Sequence, residues 1–127
     1  MAVVLDAGAL IAYDRGNRTV RALLDDAHRG RVPVRTSTAA VAQAWRHGSR
    51  QVRLGRLLRG VDERVLDQLA CRRVGVLLGT AGLADVVDGA IIDVAVDGDE
   101  VLTSDPDDLV TLAGAAGTRV AIITVSA

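Results

Sequence analysis

Short runs of apolar residues alternate along the chain with segments in which apolar residues recur every three to four positions. The first pattern favours strands and the second favours amphipathic helices. Gly30 and Gly48 follow two of the helical segments and are predicted to end them. Strands are predicted at 2–5, 32–34, 63–67, 100–104 and 119–125. Helices are predicted at 7–13, 18–29, 36–48, 49–59, 68–78, 84–97 and 106–117.

This alternation predicts the fold class. Near-continuous apolar strands are typical of parallel sheets that are buried on both sides under helices. We therefore expect an α/β fold in which helices flank a parallel sheet on both faces. A length of 127 residues suits a single domain over 1–127, and no internal repeat or linker divides the chain.

Charge and residue types narrow the function classes. The net charge of −1 provides no overall field that would attract nucleic acid or an anionic membrane. All fifteen basic residues are Arg, which excludes the P-loop lysine, Schiff-base chemistry and the lysine of phosphate-receiver domains. The single cysteine excludes an intramolecular disulfide framework and a multi-cysteine metal site. No stretch approaches the roughly 18 apolar residues of a membrane span, and no basic leader precedes the first strand, so we expect a cytoplasmic protein.

Several carboxylates are predicted at one edge of the sheet. Asp6 directly follows the strand at 2–5, and Asp105 follows the strand "VLTS". Asp88 lies early in the helix before that strand, with Asp85 one turn earlier. In open parallel sheets, ligands bind beyond the carboxyl ends of the strands, so these acids are candidates for one site.

Helix capping is the alternative explanation for most of these acids. Aspartate is a favoured N-cap that contributes about 1 kcal/mol; Asp6 and Asp105 each precede a predicted helix, and Asp85 lies near the start of one. In "DPDD", Asp105 would cap a helix that Pro106 begins. Asp88 lies beyond the cap among core-type residues, where a carboxylate is costly unless it is paired or binds a cation. Oxygen ligands without His or Cys favour Mg²⁺ or Mn²⁺ over zinc.

The segments "VVLDAGALIA", "ADVVDGAII" and "VLTSDPDDL", in this order, resemble the PIN-domain nucleases, in particular the VapC-like toxins of type II toxin–antitoxin pairs. The resemblance covers nearly the whole chain. It implies a five-stranded parallel sheet flanked by helices and metal-dependent cleavage of RNA. It places Asp6, Asp88 and Asp105 as catalytic residues that hold Mg²⁺ or Mn²⁺, with Asp108 as an accessory acid. The metal would activate a water for in-line attack on phosphorus.

One position departs from that family. PIN nucleases usually carry a Glu in the stretch that matches "STAAVAQAWRHG", and here the position is Gln43. Glutamine has the shape of glutamate and offers a carbonyl oxygen, but it supplies no negative charge and accepts no proton at neutral pH. We expect weaker metal binding, or a role in orienting water or ligand. A non-catalytic or weakly active PIN-like module that binds RNA or protein is the alternative.

The polar end of the strand "VLTS" adds two accessory candidates. Thr103 and Ser104 could orient ligands or contact phosphate, although a polar strand end explains them equally well. Tyr13, after the first apolar helix, is a candidate for lining the same cleft.

Arginine is concentrated in "RHGSRQVRLGRLLRG". Arg50, Arg53 and Arg56 recur every three residues and are predicted on one helical face, with Arg46 just before them. The stripe could bind RNA phosphates beside the acids or an acidic segment of a cognate antitoxin, or it could be a solvated helix face. The small apolar residues at 36–45 leave a surface for a partner, and a homodimer is the default assembly.

Overall fold

The five predicted strands form one parallel sheet in the computed structural model, which describes residues 1–126. The strands are β1 (Val3–Leu5), β2 (Val34–Ser37), β3 (Asp62–Arg64), β4 (Glu100–Thr103) and β5 (Ala121–Thr124). The α-helices are α1 (Ala7–Asp14), α2 (Arg18–Arg29), α3 (Thr38–Ala44), α4 (Val52–Leu58), α5 (Gln68–Ala81), α6 (Val86–Val94) and α7 (Asp107–Ala116).

The strand order is β3-β2-β1-β4-β5, and every neighbouring pair is parallel. From β1 the chain moves outward through β2 and β3, then crosses to the other side of β1 for β4 and β5. The strand order therefore reverses between β1 and β4, which is where ligands bind in open α/β sheets. The predicted α/β fold, with helices on both faces of a five-stranded parallel sheet, is confirmed.

Aliphatic side chains fill the core, as the near-absence of aromatic residues predicts. Val4, Leu5, Leu10, Ile91 and Leu102 are all at most 1% exposed. Burial of such a side chain contributes about 1.5–3 kcal/mol. Helices α1, α2 and α4 pack together on one side, α5, α6 and α7 pack together on the other, and α3 contacts both α1 and α6.

Several predicted boundaries were wrong. The second strand, expected at 32–34, is Val34–Ser37, and the helix expected at 36–48 is Thr38–Ala44. The helix expected at 49–59 begins only at Val52, because Gly48–Arg50 forms a 3-10 turn. This turn is held by the buried Gln51, whose Oε1 accepts the His47 N–H at 2.8 Å while its Nε2 donates to Asp14 Oδ2 at 3.0 Å. The third strand, expected at 63–67, is Asp62–Arg64; its residues are exposed, and it is defined by backbone pairing with β2.

A buried ion pair fixes the amino end of the sheet. The Asp99 carboxylate is fully buried just before β4, where it accepts hydrogen bonds from the backbone N–H groups of Ala2 at 2.7 Å and Val96 at 2.9 Å. Arg35 of β2 donates to the same carboxylate at 3.2 Å and to the Val94 carbonyl at 3.1 Å. The pair thereby connects the three central strands at the edge opposite the predicted site.

Within residues 1–126, no single helix has the length and apolar character needed to cross a membrane. Only α5 and α6 taken together pass that test, and they meet at a bend of 110°.

Candidate active site

Asp6 and Asp105 emerge from neighbouring strands at the point where the strand order reverses. Asp6 follows β1, and its backbone N–H donates to the Leu102 carbonyl of β4 at 3.2 Å. Its side chain caps α1, because Oδ1 accepts the Ala9 N–H at 2.7 Å. The capping role of Asp6 is thus present, but it uses one carboxylate oxygen and leaves Oδ2 for other partners.

Asp105 does not cap the following helix. The N-cap of α7 is Pro106, and no side chain caps this helix terminus. The predicted capping role of Asp105 was therefore wrong: the backbone at Pro106 is helical (φ −80°, ψ −19°), but no side-chain capping hydrogen bond is formed at this terminus. The exposed carboxylate of Asp105 is consequently not engaged in supporting the helix.

Thr103 connects the two acids. Its side chain is fully buried, and its hydroxyl accepts the Asp105 N–H at 3.0 Å. The same hydroxyl lies against the Asp6 carboxylate and lowers the pKa of Asp6. Thr103 is therefore a positioning residue for both acids.

Asp85 and Asp88 approach from α6. Asp85 is the N-cap, and its Oδ1 accepts the Asp88 N–H at 3.1 Å, which confirms the predicted capping explanation for Asp85. Asp88 lies in the first turn of α6 and is half-buried. Because α6 packs against α3 and β2, this turn faces the carboxyl end of the sheet.

Electrostatics shows that the acids share one environment. Burial raises the pKa of Asp88 to about 7, helped by the negative charges of Asp85, Asp6, Asp108 and Asp105. A position in the first turn of a helix normally favours the ionised form, so the desolvation and repulsion here outweigh the helix dipole.

Asp6 shows the same direction of change. Burial raises its pKa and the charge of Asp105 adds to that, while hydrogen bonds from Thr103 and from the Ala9 and Gly8 N–H groups lower it. The amino termini of α1, α6 and α7 all meet at this cluster, and their positive ends partly offset the repulsion.

The donor set is carboxylate oxygen without imidazole or thiolate, which suits Mg²⁺ or Mn²⁺. Within residues 1–126, no three Asp, Glu, His or Cys side chains converge closely enough to enclose an ion by themselves. Magnesium usually keeps several waters and takes only one or two protein carboxylates, with substrate phosphates completing its shell. Mutually repelling acids at an open sheet edge therefore fit a hydrated divalent cation.

The remaining candidates are distributed over two places. Gln43 is exposed on α3, which packs against both α1 and α6, the helices that begin at the acidic cluster. Ser104 lies against Gly8 at the start of α1. Arg46 is exposed after α3, and its Nε donates to the Gln43 carbonyl at 2.9 Å.

The predicted arginine stripe is only partly present. Arg50 lies in the 3-10 turn, so it does not share a helix with Arg53 and Arg56, which both lie on α4. Tyr13 lines a cavity with those two arginines near the carboxyl end of α1, whose eight residues extend about 12 Å from Asp6. The expectation that Tyr13 lines the acidic cleft was wrong, because α1 carries it away from the sheet edge.

Sequence reasoning missed two features that shape this site. Gly8 permits the close approach of Ser104, and the small-residue run Ala7-Gly8-Ala9 was the available signal. Arg21 of α2 joins Arg53 and Arg56 around one cavity, and no local pattern in the chain links these distant positions.

The comparison with solved structures supports the fold. Sixteen chains of solved structures match this one. One of them is the crystal structure of VapBC2 from Rickettsia felis bound to a DNA fragment from their promoter. It aligns with a TM-score of 0.68 over 97% of this chain and 99% of that chain, at 12% sequence identity. At that identity the likeness establishes the fold. No protein-family description and no curated protein match the sequence.

Proposed function

We propose that this protein is a Mg²⁺- or Mn²⁺-dependent endoribonuclease that acts as the toxin of a type II toxin–antitoxin pair. The observation that carries the proposal is the position of Asp6, Asp88 and Asp105 where the strand order reverses, close enough that the charges of Asp6 and Asp105 add to burial, the largest cause, in raising the pKa of Asp88 to about 7. Carboxylates that repel one another at a sheet edge are candidates for a functional site, and a divalent cation relieves the repulsion.

The surroundings of each acid indicate its role in the proposed metal site. Asp105 and the Oδ2 of Asp6 are the oxygens that capping leaves available to hold the ion. A bound cation would neutralise charge on the scissile phosphate and lower the pKa of a water. With a pKa of about 7, Asp88 is partly protonated near neutral pH in the absence of a cation, and a positive charge in the cluster would favour its ionised form.

The partners follow from the same proposal. The substrate is RNA, and a cognate antitoxin must block the cleft or its metal, because an unrestrained ribonuclease would damage its own cell. The structural neighbour from Rickettsia felis belongs to a complex named VapBC2 bound to promoter DNA, which supports a partner protein for this fold. A homodimer is the proposed assembly.

Cleavage assays with purified protein test the activity. We expect single-stranded RNA to be cut in Mn²⁺ and to remain intact in EDTA, with Asp88→Asn and Asp105→Asn inactive. Asp107→Asn is the matched control, because Asp107 is an exposed carboxylate at the start of α7 next to the cluster. Cleavage that persists in EDTA, or in both site variants, would contradict the metal-dependent mechanism.

Gln43 favours a second candidate function, a PIN-like module that binds RNA or protein without cleaving it. An exposed glutamine in place of a carboxylate removes one negative charge from the metal environment. RNA that is retained but not cut in Mn²⁺ would support the binding module. Expression in a bacterial host, alone and beside the adjacent reading frame, tests the toxin: harmless expression without recovery of the neighbour would oppose it.

A further inference from the structure

Three arginines from two helices line one cavity near the carboxyl end of α1, and none of the acids of the cluster is among its lining residues. The cavity has a volume of about 230 Å³, and its lining is Tyr13, Gly16, Arg21, Arg53 and Arg56. Arg21 comes from α2, while Arg53 and Arg56 are one turn apart on α4. Tyr13 belongs to the last turn of α1, so the three helices together enclose the space.

The arginines of this cavity have no direct acidic partner within the described residues. None of the three guanidinium groups forms an ion pair with a carboxylate of residues 1–126. The nearby Asp14 carboxylate accepts hydrogen bonds from the Gln51 amide and the Leu54 N–H rather than from these arginines, and it does not line the cavity. Three unpaired guanidinium groups around one concavity are a strong site for a phosphate oxyanion.

The local backbone positions one of the three arginines. Gly16 has φ of +83°, and a side chain there would begin 3.5 Å from the Arg53 guanidinium carbon, so the guanidinium packs over the glycine. The Arg53 Nη1 donates to the Asp14 carbonyl at 3.3 Å. Arg53 is therefore anchored in the wall of the cavity.

A second cavity adjoins the first and shares Tyr13 and Arg56 with it. Its volume is about 290 Å³, and it extends between α2, α4 and the amino end of β2. Its wall is mixed: Leu24, Val32 and Leu57 are apolar, while Asp25 and His28 add polar groups. A cationic cavity beside one of mixed character, with a tyrosine between them, matches a nucleotide, because a nucleoside has apolar base faces together with polar base edges and ribose hydroxyls.

We propose that this pair of cavities binds a nucleotide through its terminal phosphate. The phosphate occupies the arginine cavity, and the nucleoside lies against Tyr13 in the adjoining cavity, where Asp25 and His28 can hydrogen-bond its polar edges. A phosphate monoester carries a charge of about −1.5 to −2 at neutral pH, which balances three guanidinium groups better than a carboxylate does. The ligand is either a free nucleotide or the phosphorylated end of a strand. The site is separate from the acidic cluster, and its occupancy does not depend on RNA cleavage.

Calorimetric titration in EDTA, where no divalent metal contributes, tests the site on the whole chain. The probes are adenosine monophosphate, guanosine monophosphate, adenosine and inorganic phosphate. We expect the monophosphates to bind and adenosine to bind at least about tenfold more weakly, a difference of about 1.4 kcal/mol. Oligonucleotides with a 5′-phosphate and a 5′-hydroxyl separate the two sources: tighter binding of the phosphorylated strand than of the free nucleotide identifies a strand end.

The variant Arg21→Gln/Arg56→Gln should weaken binding of the monophosphates by at least about tenfold. Arg59→Gln is the matched control, since Arg59 follows the same helix α4 and does not line the cavity. Thermal unfolding of each variant establishes that it is folded. Equal affinity of adenosine and its monophosphate, or equal affinity of the double variant and the control, would overturn the proposal. Preference for an acidic peptide over the nucleotides would overturn it in favour of a protein ligand.

Discussion

Gly8 lies so close to Ser104 that a methyl group at position 8 would overlap the Ser104 Oγ. The contact joins the first turn of α1 to the end of β4, the two segments that carry Asp6 and Asp105. An ideal Cβ at position 8 would also lie 3.4 Å from Asp6 Oδ1. The separation of the two acids therefore depends on the absence of a side chain at this glycine.

Gly8→Ala is expected to destabilise the protein by about 1–3 kcal/mol, the usual cost of overpacking. Gly75→Ala on α5 is the control, because a Cβ there meets no atom within 4 Å and alanine favours a helix. Chemical denaturation measures the free energy of unfolding of both variants. In a double-mutant cycle, Ser104→Ala should reduce the cost of Gly8→Ala, because it removes the overlapping hydroxyl. Strict additivity of the two substitutions would contradict the contact.

The raised pKa of Asp88 predicts how stability depends on pH without divalent metal. The folded chain holds the Asp88 proton more tightly than the unfolded chain does, so this contribution to the free energy of unfolding is present at low pH. It is lost as pH rises from the ordinary value of 3.8 through about 7. Asp88→Asn should therefore be more stable than the wild type above pH 7 in EDTA. The difference should shrink toward about pH 4, which is close to the ordinary pKa of an aspartate.

Thermal unfolding across this pH range, with Asp107→Asn as the control, measures the effect. The melting temperature of Asp107→Asn should depend on pH in the same way as that of the wild type. A melting temperature of Asp88→Asn that runs parallel to the wild type at every pH would show that Asp88 does not titrate in this window.

Divalent metal should reverse the pH effect. A cation in the cluster favours ionised carboxylates, so Mn²⁺ affinity should increase as pH rises through about 7 while Asp88 loses its proton. Mn²⁺ should also raise the melting temperature of the wild type, because it binds only the folded chain. Calorimetry with Asp88→Asn should show weaker binding and a flatter pH dependence. Equal Mn²⁺ affinity in the variant and the wild type would exclude Asp88 as a ligand.

Gln43→Glu tests whether α3 contributes to the metal environment. Gln43 is exposed, so the substitution should change stability by no more than about 0.5 kcal/mol. We expect tighter Mn²⁺ binding and equal or faster RNA cleavage, because the new carboxylate restores a negative charge at nearly constant volume. Gln68→Glu, at the exposed start of α5, is the matched control and should leave Mn²⁺ affinity unchanged. No change in affinity for Gln43→Glu would place position 43 outside the site.

Asp99→Asn should be among the most damaging single substitutions outside the site. It leaves Arg35 without its buried partner and removes charge from the acceptor of the Ala2 and Val96 N–H groups. The expected loss in the free energy of unfolding is about 3–5 kcal/mol. Asp62→Asn removes the exposed partner of the same arginine, and it should cost at most about 1 kcal/mol. Similar losses in urea denaturation for the two variants would contradict a structural role for the buried pair.

The sequence by itself determined the fold class and the order of its elements. Strand and helix periodicity is local, so helix α2 was predicted with its observed bounds, and β1 and β4 to within a residue or so. The carboxylates after β1 and β4 could be placed at one sheet edge, because parallel strands in alternating βα units end on the same side. Asp88 was predicted as a site residue because a carboxylate among apolar residues is energetically costly unless it is paired or binds a cation.

Tertiary structure alone decided which side chains meet. The position of Asp105 in the sequence suits a helix cap, but no side-chain capping hydrogen bond forms there, and the direction of α1 places Tyr13 beside the arginines of α2 and α4. The partnership of Arg35 with Asp99 joins residues 64 positions apart. Such contacts cannot be predicted from the periodicity of the sequence, because they arise from the packing of whole helices and strands and not from the propensities of neighbouring residues.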